Sequence, residues 1–139
     1  MISLAATFFL GLLTGSLLVE ALVFVPFWRT LSPEEFFELH HRFGPRLFQY
    51  FAPLTTVAVV LPLLAAVVQR NAQDSLQRGF AAMLAVAVSA SFPLFFRKAN
   101  DEFANRTLAD DALPEALQRW ARVHAARTIV ASAAFLLSV

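Results

Sequence analysis

Long uncharged stretches, broken at regular intervals by short polar ones, are the dominant pattern of this chain. From Met1 the sequence runs apolar for about five turns until Glu20, resumes, and reaches Pro26 and Trp28; that length suffices to cross a bilayer as a helix, at about 1.5 Å per residue against about 30 Å of hydrocarbon. Three further segments share the property, and the expected spans are about 2–28, 47–68, 79–97 and 114–138. Between the first two, Ser32, Pro33 and Glu35 form a helix-start signal, with Ser as cap, Pro in the first turn and acidic residues behind it. It opens PEEFFELHHRFG, both polar and aromatic, read as a short amphipathic helix on the membrane surface that ends or kinks at Gly44 and Pro45. The expected fold is all-α: an up-and-down bundle of four transmembrane helices forming a single integral membrane domain over 1–139.

Composition strengthens this reading. The chain is 58% hydrophobic and 15% charged, too apolar for an ordinary soluble domain. A net charge of +1, with arginines not gathered on one soluble face, argues against a nucleic-acid partner. With no cysteine, disulfides, thiolate metal sites and cysteine nucleophiles are excluded. The first apolar run lacks a basic leader and a small-residue cleavage site, so it reads as a retained span. Gly11, Gly15 and Ser16 on it allow close approach of a neighbouring helix, and small faces of this kind permit a homo-oligomer.

Arginine placement gives an orientation. Most basic residues lie near the first and third connections, and only Arg70 and Arg78 near the second. The positive-inside rule then puts the elaborated connections in the cytoplasm and both termini outside, in a plasma membrane, the bacterial inner membrane being the expected one.

Candidate chemistry gathers at the polar end of the last span. Trp120, His124 and Arg127 stand at i, i+4 and i+7 and so share one stripe, while Arg119 and Arg122 point elsewhere. Counting back from Val139, Arg127 lies about 18 Å and His124 about 22 Å into the membrane, where ionisable groups face a bundle interior or a wet cavity. The same arithmetic brings Glu20 to the depth of His124. A single transition metal, iron or copper, held by His41 or His40, His124 and Glu20 or Glu38 would suit their nitrogen and oxygen donors; so would no metal at all, with His40 and His41 solvated or hydrogen-bonded and Glu20 in a structural ion pair. Glu38 and His41 make one Glu-x-x-His, whereas di-iron bundles use that pair twice. Phe36, Phe37, Phe43, Phe48 and Phe51 crowd the same end as possible walls of an aromatic pocket.

The spaced glycines of the first span, PFWRTLSPEEFFELHHRF, the Asn-bearing segment after the third span, and RWARVHAART together resemble the anthrone oxygenase-like family of small four-helix membrane proteins. The most specific part is Arg119, Trp120, His124, Arg127 and Thr128, with Asn100 as counterpart of the family's Asn before the last helix. The resemblance implies a membrane oxidoreductase acting on a hydrophobic aromatic or quinol-like molecule. In that reading His124 is the general base, Trp120 stacks on the ring system, and Arg127 with Asn100 stabilises a developing oxyanion. The alternative is a non-catalytic membrane subunit, carrier or lipid-binding protein whose polar cluster is structural.

Overall fold

In a computed structural model that describes residues 1–71 and 73–139, the chain is helical, with no strand among the described residues. Four long helices carry it: α1 over Ile2–Trp28, α2 over Pro33–Val68, α3 over Ser75–Ala104 and α4 over Leu113–Ser138, the last entered through a tight turn at Asp110–Ala112. Three of them, α1, α2 and α3, are long and apolar enough to cross a membrane. The same is not true of α4, because Arg122, His124 and Arg127 interrupt its apolar run.

Each helix packs on two neighbours, α1 on α2 and α4, α3 on α2 and α4. Polar contacts fix their register. Ser3 on α1 donates to the Gln69 side chain just past α2 at 2.6 Å, and Thr7 donates to the Ser138 carbonyl at the end of α4 at 2.7 Å. Gln77 at the start of α3 donates to the Leu137 carbonyl at 2.9 Å. A Cβ on Gly11 would come within 2.9 Å of the Phe135 ring, so this glycine sets how closely α1 and α4 approach. Gly15, by contrast, faces open space.

The start of α2 is as expected: Ser32 and Glu35 form a reciprocal capping box, with Pro33 in the first turn. Its continuation is not. The helix runs unbroken through Gly44 and Pro45 to Val68, so the separate amphipathic helix expected between the first two spans is instead the opening of α2. Packing explains why Pro45 does not end it: Phe36, Phe37 and His40 are buried, and His41 Nδ1–H donates to the Ala104 carbonyl of α3 at 3.1 Å. These contacts hold the outer turns in line although Pro45 offers no N–H to the ladder. Likewise α3 continues past the expected end through RKANDEFA to Ala104.

Two wide π-turns interrupt the helices, Glu20–Phe24 in α1 and Phe92–Phe96 in α3. Each is closed by a bond five residues long, from the Val25 amide to the Glu20 carbonyl and from the Arg97 amide to the Phe92 carbonyl. A proline accompanies both, Pro26 just beyond the first and Pro93 inside the second, and the missing N–H breaks the regular ladder there.

The interior has two parts. Leu10, Leu13, Leu17, Ala58, Ala85 and Ala131 belong to an aliphatic core in which alanines bring the backbones close. Towards the connection end lies an aromatic core containing Trp28, Phe36, Phe37, Phe96, Phe103 and Trp120. Leu4, Phe8, Val67, Met83, Ile129 and Leu136 stay exposed on the outside, as a lipid-facing surface requires.

Candidate functional site

A polar layer separates the two cores. Glu20, at the head of the first π-turn, is 5% exposed, and His124 is fully buried. Arg127 reaches across from α4: its Nη2 lies 3.3 Å from Glu20 Oε2, and its Nε–H donates to His124 Nδ1 at 3.1 Å. The guanidinium carbon sits 3.8 Å from the centre of the Phe96 ring, a cation-π contact supplied by the π-turn of α3.

These contacts define the tautomer of His124. The Leu17 carbonyl, 3.0 Å from Nε2, can only accept, so Nε2 carries the proton and Nδ1 offers the lone pair that Arg127 fills. Glu20 Oε2 lies 3.6 Å from the same Nδ1, with Arg127 as donor to both. Trp120 stacks flat on the imidazole, ring centres 4.8 Å apart at 12°. Its indole N–H donates to Asn100 Oδ1 at 2.9 Å, and its other neighbours are Trp28 at 5.4 Å and Phe96 at 5.3 Å, both edge-on. Thr128, one turn below, returns its hydroxyl to the His124 carbonyl at 2.8 Å.

The stripe of Trp120, His124 and Arg127 is therefore one face directed into the bundle, with Glu20 at matching depth and Asn100 joined through Trp120. Arg119 and Arg122 are exposed, as the spacing requires. The ligand set His41, His124, Glu20 and Glu38 is not brought together. His41 and Glu38 line an open cleft of about 790 Å³ with Glu34, Asn105 and Arg106, while His124 and Glu20 are sealed inside. No group of three or more His, Asp or Glu among the described residues is arranged to hold a metal ion. The physical reason is helical phase: Glu34, Glu38 and His41 share the outer face of α2, and His40 takes the inner one.

His40, expected only as an alternative to His41 for a metal or as an interface residue, is buried instead. Its ring stacks on Phe36 at 3.9 Å and meets Trp28 edge-on at 4.7 Å and Phe103 at 5.6 Å. Its Nδ1–H donates to the Phe36 carbonyl at 2.8 Å, which leaves Nε2 bare and without a hydrogen-bond partner among the described residues. That nitrogen is not sealed, since Thr14 Oγ1 is the one fully enclosed side-chain polar atom without a partner among them. The signal was available, because His40 follows Phe36 by one turn on the apolar side of α2.

Of the five phenylalanines expected around a pocket, Phe36 and Phe37 are core, Phe43 and Phe48 are exposed, and Phe51 packs against the aliphatic core. A second surface cleft, of about 380 Å³, lies between Pro93, Arg97, Asp101, Glu102 and Asn105. Arg106 adopts a left-handed backbone with φ 49°, places its guanidinium over Phe37 at 5.4 Å and reaches Asp110 at 3.4 Å, closing the turn after α3.

The chain matches no protein-family model, no curated protein and no solved structure in the three comparisons made.

Proposed function

We propose that the protein is an integral membrane protein in which all four helices cross the bilayer up and down, and that Glu20, His124 and Arg127 form a structural clasp joining the first helix to the last. The function that follows is that of a non-catalytic membrane component, a small subunit or carrier. One observation carries this reading: both ring nitrogens of His124 are occupied, and the ring is fully covered. A histidine held in this way has no free lone pair for a substrate proton, so the base role expected for it would require the network to open. The test is a double-mutant cycle on thermal unfolding in mild detergent. Removing either Glu20 or Arg127 alone should be strongly destabilising, and the Glu20→Leu, Arg127→Met pair should recover most of the loss, as buried ion pairs exchanged whole for apolar residues do. Single substitutions without effect on unfolding would sink the clasp.

A second reading, the anthrone oxygenase-like oxidoreductase, is favoured by the bare Nε2 of His40 among Trp28, Phe36 and Phe103. In this reading the general base on a hydrophobic aromatic or quinol-like substrate is His40 rather than His124, and Trp120 and Asn100 support the aromatic wall behind it. Oxygen uptake by membranes containing the protein, supplied with a polycyclic phenol, is the measurement. Uptake that depends on the protein and disappears in His40→Phe would favour catalysis over the clasp-only reading; uptake unchanged by that substitution would remove His40 from it.

A further inference from the structure

Charge at the connection end is layered in the same order on three helices. Going inward along α2, Glu34, Glu35 and Glu38 come first, then Arg42 and Arg46. Going inward along α3 from its end, Glu102 and Asp101 precede Lys98 and Arg97. On α4, Glu115 precedes Arg119 and Arg122. Beyond this basic layer α2 and α3 are uncharged until their far ends, and Arg29 stands just past α1. The result is an acidic crown outermost and a girdle of arginines against the apolar spans.

The girdle is not neutralised from within. Arg29, Arg42, Arg46, Arg97, Arg119 and Arg122 are all exposed. None of them makes an ion pair among the described residues; the carboxylates that do pair take Arg78, Lys98, Arg106 or Arg127. Two of the six rest on aromatic rings instead, Arg46 over Phe43 and Arg119 over Phe95, each at 5.6 Å. Rings with exposed edges at the boundary of the apolar zone are the usual companions of headgroup-level cations.

We infer that this girdle is a binding surface for the phosphate groups of anionic glycerophospholipids, in a ring around the connection end of the bundle. The inference rests on the membrane reading of the fold and is independent of the clasp. Guanidinium groups pair with phosphodiester oxygens in a fork, and a layer of six without carboxylate partners calls for lipids with net negative charge rather than zwitterionic ones. Three of the six arginines have a crown carboxylate one turn away, Glu38 from Arg42, Asp101 from Arg97 and Glu115 from Arg119, yet none of these pairs closes, whereas Lys98 meets Glu102 at the same spacing; the crown keeps the tip of the bundle in water.

The test uses the full chain in mild detergent with short-chain phosphatidylglycerol, phosphatidylcholine or free glycerol phosphate added at equal concentration, following thermal unfolding. Phosphatidylglycerol should raise the midpoint by about 3 °C or more beyond the other two, and the advantage should shrink in high salt. The combined variant Arg42→Gln, Arg46→Gln, Arg97→Gln, Arg122→Gln should lose the advantage; the singles Arg46→Gln and Arg97→Gln should each reduce it and serve if the combination does not fold. Glu34→Gln with Glu38→Gln should leave it intact. Equal responses to the two lipids, full reproduction by glycerol phosphate, or an undiminished advantage in the arginine variants would overturn the inference.

Discussion

The two buried histidines both stack on rings of the aromatic core, His40 on Phe36 and His124 on Trp120, yet their surroundings use them in opposite ways. His124 carries its proton on Nε2, gives it to a backbone carbonyl of another helix, and has its lone pair filled by an arginine. His40 carries its proton on Nδ1, spends it on the carbonyl one turn back in its own helix, and keeps a free lone pair. The first is tied into tertiary structure at both ends, and the second is tied only to itself. A saturated polar group contributes order between elements; an unsaturated one contributes a place where something else can bind.

The sharpest way to break the contrast is Arg127→Ala. It strips the counter-charge from Glu20 and the donor from His124 together, and the expected loss is about 3–5 kcal/mol, read from thermal or denaturant unfolding in detergent. A loss below about 1 kcal/mol, the scale of a surface pair, would show that the network is solvated rather than sealed. Next in size is His124→Ala, which leaves a cavity under Trp120 and takes away the donor that ties α4 to the Leu17 carbonyl of α1. Its cost should be about 2–4 kcal/mol, against about 1 kcal/mol or less for His40→Phe, which keeps the ring volume and frees a carbonyl already bonded within its own helix. The same difference should appear in chemical reactivity. Carbethoxylation of the folded protein should modify His40 and His41 and spare His124 until the chain is unfolded, as peptide mapping by mass spectrometry would show. The hydrogen bond between Trp120 and Asn100 is read from Asn100→Ala, which should cost about 1 kcal/mol; in a Trp120→Phe background, which already lacks the bond, the same substitution should add little.

Several of these residues were visible in the sequence, for an identifiable reason. Helical phase alone put Trp120, His124 and Arg127 on one face, and rise alone put Glu20 at their depth, because an α-helix carries its geometry in its residue count. Family resemblance singled out Asn100 only as an oxyanion donor; its bond to Trp120 was not foreseen, since nothing local links positions on separate helices. The failures were of another kind. Gly44 and Pro45 have the local character of a helix end, and only packing of the outer turns of α2 against α3 carries the helix through them. The choice of His41 over His40 followed the Glu-x-x-His spacing, whereas burial is decided by the side of α2 that Phe36 and Phe37 occupy. Neither π-turn was foreseen. Pro26 and Pro93 mark where the ladder is broken, but whether a helix bends, widens or stops there depends on what its neighbours ask of it.

The distance along the chain between the two ends of the clasp has a consequence for how the protein is made. Glu20 and Arg127 are separated by 107 residues, so the first helix is synthesised and delivered to the membrane long before its counter-ion exists. The last helix has the reverse difficulty, being too interrupted by charge to enter lipid on apolar character alone. On the proposed reading in which all four helices cross the bilayer, each solves the other's problem: α4 enters by docking onto a bundle that already presents the Glu20 carboxylate. A chain ending before Leu113 should therefore persist in membranes only briefly, and Glu20→Gln in the full chain should leave α4 accessible to labelling from the side on which it is synthesised.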